Sequence, residues 1–156
     1  MRSSPIPPPL WMLLFVGAMW VLARQYPLAT VIPAPWDRLG WLVMACAPIP
    51  VVAALTQFRR AQTTVNPHKP QEATALVTTG VYAWTRNPMY LGLTVLLLGL
   101  AIKFGALSPF LGPLLFVPLL QRFQIRPEEH ALRLHFGESY DRYCQRVNRW
   151  LGAKRG

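Results

Sequence analysis

The sequence predicts an all-α fold: a polytopic membrane helix bundle of about four transmembrane helices, closed by a C-terminal amphipathic helix at the interface. Three observations point there. Hydrophobic residues make up 53% of the chain and charged residues only 14%, a balance that ordinary soluble domains do not show. The apolar residues gather into runs near 6–23, 39–58, 88–103 and 104–121. Nearly all of the 16 Lys and Arg residues fall between or beyond those runs. Sustained apolar–polar alternation is missing, which argues against a β-barrel. At 156 residues the chain is expected to form one domain over 1–156.

Residues 6–23 carry no charge and begin in a proline-rich stretch (Pro5, Pro7, Pro8, Pro9). Their length is marginal against the ~20 helical residues that a bilayer core requires. A signal peptide with Arg2 as its basic region is the rival, but the proline run and the spans that follow favour a retained helix. Residues 24–38 read as a turn-rich connection containing Pro27, Pro33 and Pro35. Residues 39–58 are long enough to span alone. Pro48 and Pro50 sit within that run and should kink it, because proline lacks an N–H and clashes with the preceding turn. Arg59 and Arg60 end it and open a loop over 59–87. Lys103, Gly105, Ser108 and Pro109 separate the last two runs, as a tight hairpin would.

The tail from 127 to 150 reads as a helix. Pro127 suits its first position, and Glu128 and Glu129 complement the helix dipole. Leu132, Phe136, Tyr140, Tyr143, Val147 and Trp150 then recur at intervals of three and four residues, forming one apolar stripe. Gly137 is a candidate break, with Ser139 as a new cap. The plain expectation is a helix lying on lipid headgroups.

The cations are unevenly shared. Arg24, Arg38 and Lys103 fall on one side of the predicted spans, and all the others fall on the opposite side. The excess of positive charge predicts that both termini and the 59–87 loop are cytoplasmic, in a cell inner membrane. Anionic lipid is then the natural partner, at ~1 kcal/mol per cation near the surface, and nucleic acid is not expected. Cys46 and Cys144 lie in a span and in the tail, so both are read as reduced. With three histidines and no His/Cys/Asp/Glu set at ligand spacing, no metal is expected. No strand followed by a Gly-x-Gly-x-x-Gly loop occurs, nor a Ser/His/Asp set.

One stretch stands out against this apolar background. Residues 76–92, LVTTGVYAWTRNPMYLG, place two tyrosines, hydroxyls, an arginine and an Asn-Pro step at the mouth of an apolar run. Such polar density beside a membrane segment is costly unless something binds there. Residues 63–70 and 126–143 are the other polar blocks. The three are expected to meet at one membrane face and hold a small charged cofactor.

The residues Gly80-Val81-Tyr82, Arg86-Asn87-Pro88-Met89-Tyr90 and Gly92, followed by Glu128-Glu129, Leu132, Phe136-Gly137, Tyr140, Tyr143 and Val147, resemble the isoprenylcysteine carboxyl methyltransferase and phospholipid methyltransferase group. The resemblance runs from Thr63 to Trp150. It implies a small integral membrane enzyme that uses S-adenosylmethionine to methylate a lipidic or amphiphilic acceptor arriving from the bilayer. It places Ala75, Leu76 and Val77 along the cofactor, with Tyr82, Asn87, Pro88, Met89 and Tyr90 as contacts. Glu128 would meet the cofactor's ammonium or ribose, and Glu129 would extend that charge. Arg86 would meet the cofactor carboxylate, and His68 would cap the site. The group often has His where this chain has Asn87, and Asn cannot titrate near neutrality.

The same residues have plainer roles available. Tyr82, Trp84 and Tyr90 suit an interfacial aromatic belt. Arg86 suits a headgroup contact, and His68 a solvated loop. The acceptor is left open. Carboxyl-methylating relatives place an arginine where this chain has Gln124, and Arg126 is the candidate substitute on an irregular turn. A phospholipid amine would have to lose a proton, to Glu129 or His68; a thiol is a third acceptor. Two other classes also remain: a non-catalytic membrane scaffold, and an NADPH-dependent reductase like the sterol reductases that resemble this group. Oligomeric state is not legible.

Overall fold

Prolines start most of the long helices. In a computed structural model that describes residues 6–62 and 75–153, α1 (Pro8–Gln25), α3 (Pro48–Arg60), α4 (Pro88–Phe104) and α6 (Arg126–Phe136) each carry proline in their first two positions. There its missing N–H has no intrahelical partner to lose, and its φ is already helical. Between these lie α2 (Leu39–Cys46), α5 (Leu111–Leu120) and α7 (Glu138–Arg146). The described residues contain no strand, only two isolated bridges.

Helices α2 and α3 run on from one another, divided at Ala47 just before Pro48, where the proline was expected to act. The stretch Trp36–Arg60 is 25 residues long and contains an 18-residue window with a mean hydropathy of 1.9. Among the described residues it is the one helical stretch long and apolar enough to cross a membrane by those measures. Helix α1 has 18 residues, α4 has 17 and α5 has 10.

Two expected boundaries are corrected. The run 104–121 is not one helix: a 3-10 turn over Ser108–Phe110 precedes α5, which continues through a π-helical turn at Gln121–Ile125 into α6. Pro127 accounts for the wide turn, because its ring cannot sit under the carbonyl four residues back. The tail is not one helix to Trp150 either. It breaks at Gly137, the expected position, whose φ of +53 favours glycine; the departure is that α7 stops at Arg146. Gly137, not Ser139, holds the N-cap position, and no side-chain cap bond forms.

Helix α4 is the centre of the bundle and packs against α1, α2, α3 and α5. A first core of Met19, Tyr90, Leu97, Ala101, Phe116, Leu120 and Ile125 joins α1, α4 and α5. A second, of Ala54, Tyr82, Tyr140, Tyr143 and Val147, joins α3, the 3-10 turn Gly80–Ala83 and α7. The apolar stripe of the tail therefore packs on protein rather than on headgroups, which corrects the plain expectation. Meanwhile Leu13, Leu14, Trp20, Trp41, Leu42, Ile49, Leu114 and Leu115 are each more than half exposed. Apolar surface on this scale suits lipid or a partner, not water.

The contact between α2 and α4 depends on small residues. A Cβ on Gly99 would lie 2.7 Å from the Met44 amide nitrogen and 2.8 Å from the Gly40 carbonyl oxygen. Backbone cannot yield as a side-chain tip does. Gly99→Leu is expected to cost about 1–3 kcal/mol or more through overpacking, read as a lower thermal midpoint in detergent. Gly17→Ala on α1, where a Cβ would meet nothing within 4 Å, is the control and should not lower it. Equal losses at the two positions would refute the seam.

The two ends of the bundle differ. At one end Ile32 and Leu107 donate backbone N–H groups to Gly105 and Ala29 at 3.0 and 2.8 Å, and Lys103 pairs with Asp37. Arg24 ends α1 and Arg38 precedes α2 at this same end, so the three cations set apart by sequence do share one end. The second core, α6 and α7 sit at the other.

Candidate active site

The two polar blocks separated by α4 and α5 meet. The 3-10 turn Gly80–Ala83 presents Tyr82 inward, and Asn87 then precedes α4, so that Tyr90 falls in its first turn. The π-helical turn and Pro127 deliver Glu128 and Glu129 at the first turn of α6. There the Tyr90 hydroxyl donates to Glu128 Oε1 at 2.5 Å. Tyr82 and Tyr90 are buried, at 8% and 7% exposure, whereas Trp84 is 68% exposed. Of the three aromatics, only Trp84 fits an interfacial belt.

Glu128 keeps a partly exposed edge, but its carboxyl is buried against the Tyr90 hydroxyl. Burial pushes its pKa up to about 8; the Tyr90 hydrogen bond works against that rise, and the nearby Glu129 charge adds to it. Burial also raises the Tyr82 and Tyr143 phenols. Tyr143 donates to the Tyr82 carbonyl at 2.8 Å, and Phe58 meets the Tyr82 ring edge-on at 5.4 Å. Together these hold the Gly-Val-Tyr turn against α3 and α7.

Glu129 has a different setting. Arg86 Nη2 lies 2.9 Å from its Oε1. Arg149 donates from Nε to Oε1 at 3.0 Å and from Nη2 to Oε2 at 2.5 Å. Arg86 and Glu129 side chains are only 10% and 11% exposed, so this is a largely dry ion triad. Three N–H donors take up both oxygens, leaving Glu129 a strut more than an open carboxylate. Among the described residues the Arg86 Nε is buried without a hydrogen-bond partner.

The remaining expected residues fall as follows. Leu76, Val77 and Met89 pack against the second core, and Ala75 lies just before them, half-buried. Pro88 is fully buried. The Asn87 amide nitrogen donates to the Arg149 carbonyl at 3.0 Å. Arg126 is exposed on α6. Gln124 is fully buried and donates to the Ile6 carbonyl at 2.8 Å. His68 lies outside the described residues. No group of three metal-binding side chains occurs among the described residues.

A groove of about 660 Å³ runs along the outer side of α7, lined by Leu76, Thr78, Ser139, Arg142, Gln145 and Arg146. It could accommodate a nucleoside by size, but neither Tyr90 nor Glu128 lines it. The Tyr90–Glu128 contact, not this groove, is therefore the candidate site. Arg149 was missed by the sequence reading. Its only sequence signal was its place near the end of the apolar stripe, off the stripe's face.

The family described as phospholipid methyltransferase matches residues 36–139, more than half of the chain. An uncharacterised protein of Haemophilus influenzae is 41% identical over 63 residues, covering 40% of this chain and all of that protein. Protein-S-isoprenylcysteine O-methyltransferase of Schizosaccharomyces pombe is 39% identical over 75 residues, 46% of this chain and 30% of the yeast protein. The delta(14)-sterol reductase LBR of Gallus gallus is 32% identical over 74 residues, 46% of this chain and 12% of the chicken protein. The chain thus spans less than a third of these last two relatives. No solved structure matches it.

Proposed function

Because the chain belongs to the phospholipid methyltransferase family, we propose that it transfers a methyl group from S-adenosylmethionine to a lipidic or amphiphilic acceptor. The reading places α1, α4 and α5 beside Trp36–Arg60 as further membrane crossings. It sets the Tyr90–Glu128 end at the cytoplasmic face of an inner membrane, with both termini on that side. The observation that carries it is the 2.5 Å hydrogen bond from Tyr90 to Glu128, which joins two blocks that neither a belt nor a dipole partner requires to meet.

The residues fit such a cofactor. Glu128 offers a carboxylate to a cation, and the unpartnered Arg86 Nε–H offers a donor to a carboxylate. Tyr82 and Met89 supply aromatic and apolar wall. When bound, S-adenosylmethionine supplies an electrophilic methyl group on sulfur. The protein's part is alignment and exclusion of water: Tyr90 fixes the Glu128 carboxyl, and Tyr143 fixes the turn that carries Tyr82. Glu129, with its oxygens held by two guanidiniums, is the poorer candidate for taking a proton from an amine acceptor. Arg126, exposed on α6, is free to reach an acidic headgroup. Gln124 is neutral where the carboxyl-methylating relatives carry arginine, so this reading favours a phospholipid amine or a thiol over a carboxylate acceptor.

A second reading has one observation behind it, the similarity to a sterol reductase. Titrating detergent-solubilised protein with S-adenosylmethionine, S-adenosylhomocysteine and NADPH separates the two. Tight binding of the first two supports methyl transfer; binding of NADPH alone supports a reductase, and binding of none a scaffold. Glu128 must be ionised to pair with a cation. Affinity for S-adenosylmethionine should therefore rise with pH until about 8, the carboxyl's pKa, and then level off. Calorimetry in buffers of different ionisation heat should show proton release below that pH. A flat pH profile would remove Glu128 from the cation contact.

A further inference from the structure

The last described residues fold back against the segment that precedes α4. Val147 and Ala153 form an isolated bridge, and Asn148 donates to the Gly152 carbonyl at 3.0 Å. This narrow turn docks on residues 84–86. Arg86 donates its backbone N–H to Asn148 at 3.2 Å, and Gly152 donates to Trp84 at 2.8 Å. Arg149 lies within the turn and bonds in two directions. Its carbonyl accepts from Asn87 Nδ2 at 3.0 Å and from the Thr85 hydroxyl at 3.4 Å. Its guanidinium grips both Glu129 oxygens.

That grip decides what Arg86 does. A lone guanidinium beside a carboxylate prefers the two-pronged arrangement, with two parallel N–H groups on two oxygens. Here Arg149 already holds Glu129 in that way, so Arg86 contacts it through Nη2 and its Nε is left buried without a partner among the described residues. The triad also holds two cations against one anion. An uncompensated positive charge and a spare donor, both held in a largely dry place, call for an anion from outside.

We propose that Arg149 is a positioning residue of the cofactor site, whose hold on Glu129 keeps the Arg86 Nε–H available for the carboxylate of an amino-acid-like ligand. The inference rests on the S-adenosylmethionine reading and adds a residue and a rule to it. Without Arg149, Glu129 turns its second oxygen to Arg86 and consumes the donor that the ligand needs. The effect on binding is therefore indirect, through Arg86.

The test is R149K, which keeps the charge but cannot grip both oxygens in one plane. Binding of S-adenosylhomocysteine is measured by calorimetry below the thermal midpoint of each variant, with circular dichroism confirming the helical fold. R149K should bind about 10-fold or more weakly, the usual scale for a residue that orients a ligand-binding group. R86K should weaken binding as well, and the double variant should be no worse than R86K alone, because both changes remove one donor. Unchanged affinity in R149K, or losses that add in the double variant, would overturn the proposal. So would an R149K that fails to fold in the cold, since Arg149 would then be only a strut. No binding by the unaltered protein would instead bring down the cofactor reading on which this one stands.

Discussion

Glu129→Ala is expected to cost about 3–5 kcal/mol of stability, the range for removing one partner of a buried ion pair. Its carboxylate faces Arg86 at 2.9 Å and Arg149 at 2.5 Å, with side chains 10% and 27% exposed. Removing it strands two guanidiniums that water reaches poorly. It also releases the tail, because Arg149 is bonded to both blocks. The comparison is Glu138→Ala, which breaks an i,i+4 pair with Arg142 whose side chains are 65% and 88% exposed. Such pairs contribute about 0.3–0.5 kcal/mol. Chemical or thermal unfolding of both variants in one detergent decides the matter. Similar losses would mean that the triad is solvated and unimportant.

Glu128→Gln is expected to do the opposite. Affinity for S-adenosylmethionine should fall by about 10–100-fold, the worth of a hydrogen bond to a charged group, while stability at alkaline pH should hold or rise. The sign follows from linkage. Folding raises the Glu128 pKa from 4.5 to about 8, so between those values the folded protein binds the proton that the unfolded chain has lost. Stability contributed by the protonated carboxyl is complete below about pH 4.5 and drains away as pH climbs through about 8. Glutamine removes that slope and keeps a hydrogen-bond acceptor for the Tyr90 hydroxyl. Unfolding midpoints from pH 5 to pH 9 should flatten in the variant. A protein that bound its ligand unchanged after this substitution would show that Glu128 serves the fold alone. The two adjacent glutamates would thus be separated by experiment, one holding the structure and the other serving the ligand.

Much of the architecture was legible because it depends on local chemistry. Pro48 divides a helix and Pro127 distorts one wherever they stand, since each lacks a donor and carries a ring. Gly137 breaks the tail because its backbone adopts a conformation that other residues resist. The spacing of Tyr140, Tyr143 and Val147 put them on one face whatever that face meets. Helix ends were harder to read. The turn after Lys103 was legible from Gly105, Ser108 and Pro109, but not that α5 begins only at Leu111, because hydropathy does not register where a 3-10 turn ends. The tail looked helical to Trp150 because a stripe says nothing about backbone pairing.

Within the candidate site, the conjunction of Tyr90 with Glu128 was an expectation drawn from family resemblance, and the two side chains touch. The roles of Glu129 and Arg86 were read one at a time, as ligand contacts, and were incomplete. An ion triad depends on three residues converging from 86, 129 and 149, and nothing local in the chain marks the third. Arg149 looked like any other cation near a membrane surface.

By itself, the amino-acid order determined an all-helical chain with abundant apolar surface, its proline and glycine breaks and the location of its polar blocks. These follow from propensity, periodicity and charge, which act over a few residues. Tertiary structure alone decided that the tail folds back on residues 84–87, that α7 packs on protein rather than headgroups, and which glutamate is clamped and which remains available. Those outcomes depend on distances between segments far apart in the chain, where burial sets the strength of every charge.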